Sequence, residues 1–168
     1  KSCDIRSCGF DEIRLHRGDV YPPRTELTYL SRSAVQHVKI AGEMMPIDLV
    51  ELDLSERQLT NTQIQNLRHM KCLEKLDLKN NYLTDLSCLS GLTRLKDICF
   101  NNNNVQDIEF ARHMTKLQHI SGENSGVTDI SPLAGKTELV SVFFGDAGVT
   151  DISPIKDSKG LVMVDRKS

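Results

Sequence analysis

The segment GVTDISP occurs twice, at residues 126–132 and again at 148–154, so two copies stand 22 residues apart. A short fixed period marks a structural unit that cannot bury its apolar face alone and stacks on copies of itself. The apolar segments that accompany these copies extend the series. LVMV begins at Leu161, LVSVFF at Leu139 and LQHISG at Leu117; LKDICF follows at Leu95 and LEKLDL at Leu73. One longer step of 24 residues reaches LVELDL at Leu49, the two extra residues falling between Leu59 and Ile64. Six frames therefore start at residues 49, 73, 95, 117, 139 and 161.

Aligned on those starts, the frames read L-x-x-L-x-L-x-x-N-x-L, most completely in LEKLDLKNNYL from Leu73 to Leu83. Apolar residues alternate within each start, as in Leu76 and Leu78 or Ile98 and Phe100. A short strand with that pattern turns these residues inward and their neighbours outward. By the same register, Leu83 and Ile120 are inward. The ninth column reads Arg57, Asn81, Asn103, Ser125 and Ala147. An amide there can satisfy backbone groups where the chain leaves the strand, so this ladder is complete only in the middle. The return segments carry apolar residues at every third position, Leu83, Leu86, Leu89 and Leu92 or Val105, Ile108, Ala111 and Met114, which suits 3₁₀ turns or very short helices. Lys136 and Ser158 stand where Leu92 and Met114 stand. The convex side is therefore expected to loosen toward the last repeats, with Lys136 on its surface.

The pattern resembles the leucine-rich repeat over roughly 120 residues. Within that family, the 22-residue length and the return segments LTDLSCLSGLTRL and VTDISPLAGKTEL are similar to the internalins and to the leucine-rich regulatory subunit of protein phosphatase one. The resemblance implies an α/β solenoid with a parallel concave sheet, convex limbs of short 3₁₀ or helical turns, and an N-terminal cap. Residues 1–48 fall outside the repeat and are expected to form that cap, with the repeats over 49–168. RTELTYLSRSAV places Leu27, Leu30 and Ala34 at helical spacing after Pro22 and Pro23, as a short amphipathic helix would. VQHVKIAG, with Val38 and Ile40 alternating, reads as a leading strand paired with the one holding Leu52 and Leu54. The chain ends inside the sixth strand, and a bare last strand invites self-association.

In such a solenoid the outward strand positions line the concave face in columns about 4.8 Å apart. One column runs His37, Glu51, Lys75, Asp97, His119, Ser141 and Met163; the next runs Lys39, Asp53, Asp77, Cys99, Ser121, Phe143 and Asp165. A third, at the strand ends, runs Ser55, Lys79, Asn101, Glu123 and Gly145. Outward apolar side chains among polar ones suit protein partners. Phe143 therefore leads the candidate partner-binding residues, with Glu51, Asp53, Lys75, Asp77, Asp97, Cys99, His119, Ser121 and Met163 around it.

Asp97, His119 and Cys99 share a patch that could suggest nucleophilic chemistry. A concave sheet offers no oxyanion hole and little exclusion of water, so partner binding explains the pattern better and no catalytic residue is assigned. Asp53 beside Asp77 reads as a solvated acidic face, since two carboxylates are too few for a calcium site, and neither metal nor cofactor is implied. Arg17–Gly18–Asp19 matches an adhesive tripeptide, but the plainer reading is a turn.

A net charge of −2 gives no electrostatic case for nucleic acid or an anionic membrane. No apolar run approaches the roughly 18 residues of a spanning helix. The chain opens on Lys rather than Met, as a processed form would, which leaves room for a removed signal peptide. Cys3 and Cys8 are near enough to bridge, as in secreted solenoids with cross-linked caps, while Cys72, Cys88 and Cys99 are scattered through the repeats as small hydrophobes would be. The expected function is a protein-binding module of internalin-like type, secreted or at the cell surface. An intracellular scaffold or phosphatase-type regulatory subunit is the alternative, and a non-catalytic targeting part of a larger enzyme is a remote one.

Overall fold

Inward-facing apolar residues at positions four and six, such as Leu76 with Leu78 and Ile98 with Phe100, force consecutive coils into one register, and the structure shows the consequence. The computed structural model describes residues 36–158 and the backbone of the strand Met163–Asp165. Six three-residue strands form one parallel sheet in chain order: β3 (Glu51–Asp53), β4 (Lys75–Asp77), β5 (Asp97–Cys99), β6 (His119–Ser121), β7 (Ser141–Phe143) and β8 (Met163–Asp165). Equivalent residues pair across the sheet, Leu76 with Ile98 and Ile98 with Ile120. The expected core residues Leu76, Leu78, Leu83, Ile98, Phe100 and Ile120 are all buried.

The strands β3 to β7 are each followed by a bend and a return limb. The return limbs contain 3₁₀ turns at Ser87–Leu89, Glu109–Ala111, Ser131–Leu133 and Ser153–Ile155. The repeated GVTDISP now has a residue-by-residue explanation. Val127 and Ile130 enter the core. Asp129 Oδ1 accepts from the Ser131 amide at 2.7 Å and so starts the 3₁₀ turn, and Asp151 does the same for Ser153 at 2.8 Å. Pro132 and Pro154 sit in the first positions of those turns, where a missing N–H costs little. The end of the exposed Gln106 side chain, from the coil before, lies over Gly126 in the space that Tyr82 and Asn104 fill with side chains in their own coils.

The two extra residues of the first repeat build a real helical turn, α1 (Asn61–Ile64), running into a 3₁₀ segment Gln65–His69. Gln63 Oε1 accepts from the Thr60 amide at 2.9 Å, which closes the N-terminus of α1. Asn61 then reaches across to the next coil, its Oδ1 accepting from the Thr84 amide at 3.0 Å.

The amide ladder is present where the sequence has Asn. Asn81 and Asn103 are buried. Asn81 Oδ1 accepts from the amides of Arg57 and Leu59, and its Nδ2 donates to the carbonyls of Leu54 and Leu78. One column earlier, Glu56, Asn80, Asn102, Asn124 and Asp146 all have φ between 52° and 59°, the left-handed region in which Asn and Asp are the best-tolerated non-Gly residues. The three Asn side chains form an exposed second ladder, Asn102 donating to Asn80 at 2.6 Å and Asn124 to Asn102 at 3.0 Å.

Two expectations fail here. The segment around Val38 and Ile40 does not join the parallel sheet. It forms β1 (His37–Ile40), paired antiparallel with β2 (Glu43–Pro46) in a separate two-stranded sheet. Ala41 at φ 53° and Gly42 at φ 91° make the tight turn between them, a geometry that reverses the chain within two residues. His37 and Lys39 therefore leave the concave columns. The hairpin instead docks on the first return limb: the Ala41 amide donates to the Gln63 carbonyl and Asn66 Nδ2 to the Lys39 carbonyl, while Ile40 and Met45 are buried.

Lys136 is likewise not on the convex surface. Only 4% exposed, it lays its stem in the core column of Leu92 and Met114 and donates from Nζ to the carbonyls of Arg112 and Met114. Burial lowers its pKa below the ordinary lysine value. The limb does open one coil later, where Ile152 is 40% exposed. The expected helix from Pro22 onward, the tripeptide Arg17–Gly18–Asp19 and a Cys3–Cys8 bridge lie outside the described residues, while Cys72, expected as a lone buried hydrophobe like Cys88 and Cys99, is disulfide-bonded.

Candidate functional site

The three-residue strands leave two outward columns on the concave face, with a third at their ends. These line a trough of about 800 Å³ that includes Glu51, Asp53, Lys75, Asp77, Asp97, Cys99, His119, Ser121 and Phe143. Nine of the ten residues picked out from the sequence thus share one surface. The tenth, Met163, pairs with Ser141 through the backbone, but its side chain is outside the described residues. The trough also takes in Ser141 and Glu123, legible in the sequence because they occupy the same columns.

The early strands are charged. Lys75 Nζ meets Glu51 Oε1 at 3.1 Å across β3 and β4, and this hydrogen bond and charge raise the lysine pKa. Asp53 and Asp77 stand in register on those strands. The Ser55 side chain and amide hold Asp53 below the ordinary carboxylate range, while Lys79 lies 3.5 Å from Asp77 and has its pKa raised by that charge.

The middle strands carry hydrogen-bonded polar groups. His119 Nδ1 and Ser141 Oγ are 2.6 Å apart, and His119 Nε2 lies 3.7 Å from Asp97 Oδ1. Ser121 Oγ donates to Asn101 Oδ1 at 2.7 Å, and Asn101 Nδ2 donates to Glu123 Oε2 at 2.9 Å. Asp97 and His119 are register partners as expected, but His119 engages Ser141 and not Cys99. Burial pushes the Cys99 thiol up, away from the thiolate a nucleophile needs. Nearby strand amides are taken by the sheet, Phe100 donating to Ser121 and Gly122 to Phe143, so they do not form an oxyanion hole.

At the far end Phe143 is half-buried, in register with Ser121. An apolar ring beside charged and hydroxyl-bearing columns suits a macromolecular contact better than a reaction.

Solved structures bear this architecture out. An internalin C2 from Listeria monocytogenes is 31% identical with a TM-score of 0.69, the match covering 74% of this chain and 53% of that one. The chain is a leucine-rich repeat protein. A second internalin of the same organism, inlF, is 25% identical at a TM-score of 0.67 over 82% of this chain and 39% of its own. The leucine-rich repeats of this chain therefore span about half or less of the internalins they match. A plant peptide hormone receptor, RGFR1, solved in complex with RGF2, shares the fold at 21% identity and a TM-score of 0.60, over 71% of this chain and 21% of that one. No protein-family model and no curated protein matches the sequence. Among the described residues no helix is long and apolar enough to cross a membrane.

Proposed function

We propose that the concave face binds a protein partner, in an internalin-like protein that works secreted or at the cell surface. The observation that carries this is the half-buried Phe143 at one end of a trough whose other end is charged. Strand residues hold these side chains on a rigid sheet, so little conformational entropy remains to be lost on association. The convex limbs present short irregular turns and offer no such ordered array. The likeness to internalins supports the secreted or surface setting.

The test is an unbiased capture with this chain as bait, repeated with Phe143→Ala and with a double variant at Asp77 and His119. A partner retained by wild type and lost by both variants supports the proposal. Retention by both variants refutes it. The setting is checked by intact mass under non-reducing conditions, where five free thiols would favour the intracellular scaffold reading.

A further inference from the structure

We propose that the trough receives an extended basic segment in which an apolar side chain follows or precedes a Lys or Arg by four residues. This rests on the concave-face reading above and specifies the partner's chemistry.

The first support is where the charge lies. Among the described residues the concave columns hold five carboxylates, Glu51, Asp53, Asp77, Asp97 and Glu123, against the two ammonium groups of Lys75 and Lys79. The whole chain carries only −2, so the remainder of the molecule is close to balanced and the acidity is concentrated on this face. Both lysines are engaged, with Glu51 and Asp77. Among the described residues no Lys or Arg lies within ion-pair distance of Asp53, Asp97 or Glu123. Asp53 and Asp77 are also in register, an arrangement that like charges make unfavourable for the sheet. One oxygen of each carboxylate accepts from a strand-end amide, Ser55 on Asp53 at 2.8 Å and Lys79 on Asp77 at 2.9 Å, and an incoming cation would add to the charge of Lys79 that offsets the pair.

The second support is distance. Asp77, Cys99, Ser121 and Phe143 occupy one column on successive strands. Three strand steps separate the ends, about 14 Å. An extended chain advances about 13 Å in four residues, and its side chains i, i+2 and i+4 face the same way. A cation set against Asp77 therefore places the side chain four residues away over Phe143. The residue between them lies over the neutral Cys99 thiol and the Ser121 hydroxyl, which calls for a small or uncharged group there.

The experiment is selection of a random twelve-residue peptide library on the full 168-residue chain, with affinities of enriched peptides then read by fluorescence anisotropy. Enrichment of Lys or Arg four positions from an aromatic or aliphatic residue is expected. Affinity should drop at least about tenfold for Asp53→Asn with Asp77→Asn, for Phe143→Ala and at high salt. The Asn oxygens can still accept from the Ser55 and Lys79 amides, so the two changes should leave the fold standing. If an unfolding curve shows otherwise, exchanging Lys for Glu in the peptide makes the same comparison on the wild-type chain. Peptides that lose binding on Phe143→Ala but carry no basic residue would overturn the proposal and leave the concave-face reading standing. Absence of enrichment would overturn the proposal and leave the concave-face reading to its own capture test, whereas loss only on the convex variant Lys156→Glu would overturn both.

Discussion

Phe100 and Phe144 belong to coils that are not neighbours, yet their rings meet, with centroids 6.2 Å apart and planes inclined by 58°. Gly122 makes this possible. It occupies the column of Leu54, Leu78, Phe100 and Phe144, and the space its side chain would fill is taken by the two rings.

A Cβ on Gly122 would lie 2.5 Å from Phe100 and 2.7 Å from Phe144. Gly122→Ala should therefore destabilise by about 1–3 kcal/mol in urea unfolding, as overpacked cores do. The loss should shrink when Phe100→Leu is added, because the smaller side chain vacates the contested space. Equal losses in both backgrounds would mean that the rings do not fill the gap.

Asn81 serves five backbone groups of two coils at once. Asn81→Leu or Asn103→Leu should cost about 1–3 kcal/mol or more, since the change leaves buried polar groups unpaired. Asn102, exposed at φ 55°, should respond differently. Asn102→Gly should be tolerated and Asn102→Val should not, because the backbone conformation is what the position demands. Thermal unfolding of the four variants separates the two ladders.

Lys136 offers a test of burial. Lys136→Met should change stability by no more than about 1 kcal/mol, since Met114 fills the same column, whereas Lys136→Glu should cost on the order of 3–5 kcal/mol by facing a carboxylate toward two carbonyls. A tolerated Glu would put the side chain on the surface.

That residue also shows where the sequence could be read and where it could not. The inward columns, the parallel register and the Asn81 and Asn103 ladder follow from the period alone, because each is a property of position within a repeat. Lys136 sits at an apolar position and was expected outside, since composition does not reveal whether a long stem will be buried with its head satisfied by carbonyls. The hairpin at Ala41 and Gly42 was obscured because Val38 and Ile40 alternate equally well in a repeat strand and in an antiparallel one. The turn residues were the discriminating signal. The exposed Asn80, Asn102 and Asn124 column was visible as letters, but its left-handed backbone is a consequence of the bend and not of hydropathy. Of the trough, the membership of the columns was legible; the His119–Ser141 and Asn101–Glu123 contacts depend on side-chain rotamers that no period encodes.

The pair of Lys96 with Glu74, 2.7 Å apart, carries a pH dependence. The hydrogen bond from Lys96 holds the Glu74 carboxyl below its ordinary value of 4.5. A carboxyl depressed in the fold contributes stability that is present above the unfolded value and lost as pH falls through the folded one. The stability difference between wild type and Glu74→Gln should thus be largest above roughly pH 5 and close as acid is added. A difference that is flat with pH would remove Glu74 from the acid response.

The central claim is that binding belongs to the concave strands, and the affinity of a captured partner for two variants measures it most directly. Phe143→Ala should weaken binding by more than about 1 kcal/mol with an unchanged unfolding curve, while Lys156→Glu on the exposed convex limb should leave affinity unaltered. Unaltered affinity for Phe143→Ala together with lost binding for Lys156→Glu would place the partner on the opposite side of the solenoid and contradict the claim.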